Sequence, residues 1–211
     1  MKKLAIYGAG GFGRETLNLV REINLHFPTW EMLGFFDDQI PKGTMVNDEV
    51  VLGNFEDLNT MADEIYLVLA IARPMVKKNI IDALTNPKIN FANLIHPSVT
   101  NKDFQKIHLG KGIIITAGVI LTVNINIGDH VIINLASTIG HDVMIGKYSS
   151  IMPGVRLSGN VILEEGTYLG TGAILINNLS IGAYATIGAG AVVIHDIKPN
   201  ITAVGVPAKQ K

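Results

Sequence analysis

Ile127-Gly128-Asp129-His130-Val131-Ile132-Ile133-Asn134-Leu135-Ala136-Ser137-Thr138-Ile139-Gly140-His141-Asp142-Val143-Met144-Ile145 carries a branched aliphatic residue at every sixth position. Read outward, the same register holds without a slip from Leu109 through Ile115 and Leu121 to Ile151, Leu157, Leu163, Leu169, Leu175, Ile181, Ile187 and Val193. Glycine follows directly at Gly110, Gly128, Gly140, Gly146, Gly170, Gly182 and Gly188. A second file, four residues after the first, is small or aliphatic (Ile113, Val119, Val131, Val155, Ala173, Ala191). A period of six fits neither a helix nor one long strand. It fits a solenoid of short strands and tight turns, in which like residues stack coil on coil. Three hexapeptides make an eighteen-residue coil, and five coils at about 4.8 Å each build a prism roughly 24 Å tall.

The bulk composition narrows the classes. The 211 residues allow two modest domains, and a formal net charge of −1 leaves no electrostatic footprint for nucleic acid. With no cysteine there is neither a disulfide framework nor thiolate chemistry, which fits a reducing compartment. No stretch approaches the roughly 20 apolar residues of a membrane span, and the apolar run after Met1-Lys2-Lys3 stops at Gly8 without a cleavage site. The expectation is a soluble, cytoplasmic chain. Only 17% of residues are charged, so some surface is expected to be buried between subunits.

The first hundred residues alternate strands and helices. Lys3 to Tyr7 reads as a strand, Gly8-Ala9-Gly10-Gly11-Phe12-Gly13 as a glycine turn, and Arg14 to Phe27 as a helix. Met32 to Phe36 reads as a second strand ending at Asp37-Asp38, Glu64 to Ala70 as a third, Pro74 as the start of a helix, and Phe91 to Ile95 as a fourth strand. This order implies a Rossmann-like parallel sheet over residues 1–100, with residues 96–108 as the passage into a solenoid domain over 101–211. Gly8-x-Gly10-x-x-Gly13 between strand and helix lets a backbone approach phosphate at a helix N-terminus, and Asp37 and Asp38 close the next strand where a ribose or base is held. A tight turn with no ligand is the plain alternative. An NAD-dependent oxidoreductase is disfavoured, because about a hundred residues make only half of a full dinucleotide fold.

Together, the unbroken hexapeptides, Ile139-Gly140-His141-Asp142-Val143-Met144-Ile145-Gly146 and Gly205-Val206-Pro207-Ala208-Lys209 resemble the left-handed β-helix acyltransferases. Tyr7-Gly8-Ala9-Gly10-Gly11-Phe12-Gly13, Phe36-Asp37-Asp38 and Leu94-Ile95-His96-Pro97 narrow the resemblance to the branch of bacterial UDP-4-amino-sugar N-acetyltransferases and sialic acid O-acetyltransferases. It implies a Rossmann-like domain followed by a left-handed parallel β-helix, a homotrimer, and acetyl-CoA lying between neighbouring β-helices with no metal required. By the same resemblance a nucleotide-sugar lies at Gly10, Gly11, Phe12, Asp37, Asp38 and Ala72, and CoA touches Ser150, Gly159 and Thr171. Phe12 stands where the family commonly has histidine, and Ala72 where it has glycine, which bears on the identity of the nucleotide.

Of six histidines, His141 matches the family's catalytic base, and a near-neutral imidazole suits proton removal. Asp142 matches the carboxylate that supports it, but adjacent residues of a flat strand face opposite ways, so their pairing requires a corner. His195-Asp196 repeats the dipeptide three coils later; a roughly 14 Å separation excludes a shared metal site with His141 and leaves His195 an edge residue. His26, His96, His108 and His130 take the default reading of surface or capping residues. Asn134 is read either as an inward asparagine ladder or as a substrate contact. The function expected is N-acetylation of a nucleotide-linked amino sugar by direct transfer from acetyl-CoA. O-acetylation of a sialic or other sugar is the alternative, and a non-enzymatic β-helix scaffold stands behind both.

Overall fold

In a computed structural model, which describes residues 1–100 and 102–211, the chain forms a six-stranded sheet docked on a three-faced solenoid. Asn101, in the passage expected between the halves, lies outside the described residues. The sheet comprises β1 (Lys2–Tyr7), β2 (Trp30–Phe36), β3 (Met45–Val46), β4 (Glu49–Gly53), β5 (Ile65–Leu69) and β6 (Ile89–Phe91), in the order β3-β4-β2-β1-β5-β6. Only β3 runs antiparallel, to β4. Helix α1 (Gly11–His26) follows β1, the short α2 (Phe55–Asn59) follows β4, and α3 (Pro74–Ala83) follows β5 with proline in its first turn.

Three local expectations change. The helix starts at Gly11 rather than Arg14, because first-turn N–H groups need no intrahelical partner and glycine there forfeits little. The strand read at Glu64–Ala70 is the fifth, since the β3–β4 hairpin and α2 occupy a stretch whose strands are too short to show a period. The strand read at Phe91–Ile95 is two. β6 ends at Phe91, and Leu94–Ile95 leaves to pair with Ile114–Ile115 as the first rung of the solenoid. Asn93 makes the break, accepting from the Ile113 N–H and donating to the Gly110 carbonyl at 2.8 Å.

Each solenoid coil contributes one two-residue strand to each of three faces. One face carries Ile114–Ile115, Ile132–Ile133, Ser150–Ile151 and Tyr168–Leu169 and receives the N-terminal sheet; it is called the docked face below. The second carries Ile120–Leu121, Thr138–Ile139 and Arg156–Leu157, and the third carries Asn126–Ile127, Met144–Ile145 and Ile162–Leu163. Residues eighteen apart pair in parallel, such as Ile139 with Leu157. The sixth-residue aliphatics point inward and form one continuous core, with Leu109 partly buried at the first coil. Coils approach closely at the glycines that follow them. A Cβ on Gly140 would stand 2.7 Å from the Gly159 nitrogen of the next coil.

Candidate active site

His141 stands on the edge between the second and third faces, one residue past Gly140, with its side chain 64% exposed. The corner needed for pairing with Asp142 exists. Asp142 adopts a left-handed backbone with φ 59°, a conformation that short polar side chains tolerate. Its Oδ2 lies 2.8 Å from His141 Nδ1, and its Oδ1 accepts from Asn124 Nδ2 at 3.0 Å. The His141 bond, then the Asn124 bond, hold the Asp142 carboxyl below the usual carboxylate range. An ionised carboxylate only accepts, so Nδ1 carries a hydrogen, and in a neutral imidazole Nε2 is then the nitrogen with a free lone pair. Asn124 escaped the sequence reading, although it sits one coil before Asp142, where the stacking period places a neighbour.

Gly159, one coil beyond, lies directly beneath the ring: a Cβ there would stand 2.3 Å from His141 Nε2. Aliphatic side chains flank the edge, and Ile120, Met144, Ile162 and Ile174 are 41–58% exposed on the two faces that meet there. Thr171 is exposed on a different edge, between the docked and second faces. Ser150 requires a correction. Rather than lining a cofactor groove, it is fully buried in the docked face, where its Oγ accepts from Lys77 Nζ at 2.9 Å. His195 is exposed, and the carboxylate of its neighbour Asp196 accepts instead from the Ser180 N–H at 2.8 Å.

At the other end of the molecule, β1 pairs with β2 on one side and β5 on the other, and their C-terminal ends open a crevice at this topological switch point. Gly13 is required by packing, since a Cβ there would lie 1.9 Å from the Gly8 carbonyl oxygen. Gly10 and Gly11 are not; a Cβ on either meets nothing within 4 Å. Among the described residues no side chain caps the first turn of α1, which leaves its N–H groups for a ligand or water. Phe12 packs half-buried against the N-terminal core, and so does Ala72.

Asp37 and Asp38 shape the turn. Asp37 accepts from the N–H groups of Ala9, Gln39 and Ile40, and Asp38 accepts from Tyr7 Oη at 2.6 Å and from the Phe55 N–H. Burial and the Asp38 bond push the Tyr7 hydroxyl above its ordinary range. A cavity of about 550 Å³ runs from Gly11 and Arg14 on α1 to Thr116, Ala117 and Leu135 of the solenoid. Beside it Asn134 is buried, its Oδ1 accepting from Thr116 Oγ1 at 3.2 Å in the preceding coil; the stacked neighbour is a threonine, so no run of asparagines forms.

Comparison with known proteins places this arrangement. Residues 3–84 match the family model described as PglD N-terminal domain. The acetyltransferase domain of PglB from Neisseria gonorrhoeae, solved in complex with acetyl coenzyme A, is 31% identical and superposes with a TM-score of 0.89 over 100% of this chain and 99% of that one. The chain belongs to the hexapeptide-repeat sugar acetyltransferase family. WeeI from Acinetobacter baumannii is a 30% identical member with a TM-score of 0.88 over 100% of both chains. PerB from Caulobacter crescentus, solved with CoA and GDP-perosamine, is 27% identical with a TM-score of 0.88 over 100% of this chain and 98% of that one. A GDP-perosamine N-acetyltransferase of Escherichia coli is 32% identical over 143 residues, which span 67% of this chain and 63% of that enzyme.

As a hexapeptide-repeat acetyltransferase, the chain has the Rossmann-like sheet and β-helix expected of that family. Among the described residues, no helix is long and apolar enough to cross a membrane.

Proposed function

We propose that the chain is an acetyl-CoA-dependent N-acetyltransferase acting on a nucleotide-linked amino sugar, in the cytoplasm. One observation carries the reading. Asp142 engages His141 at Nδ1 and leaves Nε2 turned away from that bond, on a ring whose side chain is 64% exposed at the prism edge. The Neisseria domain's acetyl coenzyme A and the Caulobacter enzyme's CoA and GDP-perosamine support the choice of substrates.

In the proposed reaction the sugar amine attacks the thioester carbonyl carbon while Nε2 takes the amine proton. The tetrahedral intermediate then collapses, the C–S bond breaks, and the CoA thiolate leaves and is protonated. General-base assistance of this kind contributes about 10²–10⁴-fold, with the remainder supplied by orientation. The backbone N–H of Gly159 is assigned to the developing oxyanion, since those of Ser158 and Asn160 already bond the Leu175 and His141 carbonyls.

The N-terminal half covers the docked face, and His141 lies on the edge opposite that face. A nucleotide-sugar held at Gly10, Gly11, Asp37 and Asp38 is therefore presented to His141 of a sister copy, which makes a homotrimer the natural assembly. The exposed aliphatics flanking His141 supply its contact surface. The test is release of free thiol from acetyl-CoA with a panel of nucleotide-linked amino sugars, GDP-linked ones included. Wild type should turn over at least one, and His141→Ala should fold normally and lose at least about a hundredfold in kcat. Undiminished turnover in the variant would remove His141 from the mechanism, and inactivity of the wild type across the panel would overturn the reading itself.

A further inference from the structure

The seam between the two halves is mostly aliphatic: Ile114, Ile132 and Met152 of the docked face join the cluster of Leu4, Leu17 and Val20. Burial of such side chains is non-directional, so it sets how strongly the halves adhere and leaves their register loosely specified. Asn93 ties the two halves where the chain passes between them, and a second polar side chain crosses the seam away from that passage. Lys77 of α3 is completely buried, and its Nζ donates to the His130 carbonyl at 2.8 Å, to the Ser149 carbonyl at 3.2 Å and to Ser150 Oγ at 2.9 Å. An ammonium has three donors, and all three are used. The acceptors come from two successive coils, so the group is fixed both along the solenoid axis and across it. No carboxylate among the described residues pairs with it, and burial alone pushes the amine well below its ordinary value.

This arrangement is a poor source of stability. A buried cation facing neutral oxygens forfeits its hydration, and replacing such a group with an apolar one of equal size is often neutral or stabilising. Its position in the chain points elsewhere. The Lys77 N–H bonds the Arg73 carbonyl, so the lysine sits one turn into α3, whose Val76, Asn79 and Ile80 line a pocket with Tyr7 and Asp38 of the crevice. The segment that leads from β5 into α3 abuts the glycine turn, where a Cβ on Gly8 would lie 3.1 Å from the Ala70 carbonyl oxygen.

We infer that Lys77 is a positioning residue for acetyl transfer, fixing the register of the nucleotide-binding half on the solenoid and with it the point at which the acceptor amine is presented. The inference rests on the function proposed above. It gives Ser150 a defined task as the side-chain acceptor of the pin. It also separates two properties that a merely structural lysine would lose together, namely overall stability and rate.

The test is the full chain carrying Lys77→Met, which preserves length and removes the donors. The expected result is a Tm equal to or above wild type, unchanged Kd for CoA and for free nucleoside diphosphate, and a kcat at least about tenfold lower, because misplacement of reactants by a fraction of an ångström is costly in rate. Amide hydrogen exchange in α3 should accelerate while α1 keeps its protection. Ser150→Ala, which deletes one of three acceptors, should give a smaller loss of kcat in a fully folded protein, so the inference stays testable if Lys77→Met fails to fold. A kcat within twofold of wild type in the folded variant, with α3 still protected, would overturn the positioning role. Inactivity of the wild type would instead overturn the acetyl-transfer reading, and the exchange experiment would still report on the register.

Discussion

At the scale of single residues, the proposed proton transfer depends on which nitrogen of His141 is bare. Asp142 can reach Nδ1 only because a left-handed residue bends the chain at the corner, and Asn124 from the preceding coil holds the far carboxylate oxygen. The lower limit of the ring's position is set by Gly159, since any side chain there would occupy space 2.3 Å from Nε2. Gly159→Ala is therefore expected to fold like wild type. The exposed imidazole swings away at small cost in stability, and kcat falls by about tenfold or more with nucleotide affinity retained. Steady-state kinetics and a melting curve decide it, and an unaltered kcat would mean that the ring is not held over the glycine during turnover. His141 and Asp142 were legible as candidates in the sequence through their place at a hexapeptide turn and the family resemblance. Their mutual geometry was not, because it depends on the sign of one φ angle.

At the scale of elements, the glycine turn and α1 show that three glycines in one motif do different work. Gly13 permits the helix to pack on the turn, whereas Gly10 and Gly11 leave room that nothing in the chain fills. Gly13→Ala should lower Tm by about 5 °C or more, since its methyl would overlap a backbone carbonyl. Gly11→Ala should leave Tm unchanged or slightly raised, as alanine is the better helix former, and Gly10→Ala, at the extended N-cap, should leave it unchanged or lower it slightly; both should raise the KM for nucleotide-sugar about tenfold. Melting curves of all three set beside their kinetics separate the roles; equal destabilisation by all three would mean the turn merely needs small residues. The regular elements were legible wherever a period ran long enough, as in the fifteen aliphatic positions of the solenoid. The β3–β4 hairpin was not, and neither was the departure of Leu94–Ile95 to the first coil, because a two-residue strand carries no period and its partner lies about twenty residues away. Lys77 and Ser150 were illegible for a related reason. A lysine in a helix reads as a surface residue and Ser150 as a CoA contact, because only docking of the two halves brings them together.

For the whole molecule, the seam that aligns the two halves also decides how the fold answers to acid. His130, read from sequence as a surface or capping histidine, is buried beside Lys77's acceptor carbonyl, with its ring stacked on Tyr148 at 5.7 Å and edge-on to Phe91 at 4.6 Å. Its Nδ1 lies against Gly112, where a Cβ would stand 2.3 Å away, and has no hydrogen-bond partner. Burial, with smaller contributions from Lys77 and Lys111 against that of Asp129, pushes its pKa down to about 4. The unfolded chain, with an ordinary imidazole near 6.5, binds the proton more readily than the folded one, so stability increases with pH across this window. His130's contribution is complete above about pH 6.5 and is lost as pH falls from there toward 4, a difference of about 3 kcal/mol between the two ends. Lys77 acts with the same sign at the alkaline end, because burial lowers its pKa too. His130→Asn removes the titration and retains a residue tolerant of the left-handed φ of 57° at this position. At neutral pH it should be less stable than wild type, because the stacked ring is gone. That gap should then shrink as calorimetric melts are taken from pH 7 down to 4, since only wild type has a buried imidazole to protonate. Curves that stay parallel over the whole range would show that acid attacks the fold elsewhere and that the seam is indifferent to the His130 proton.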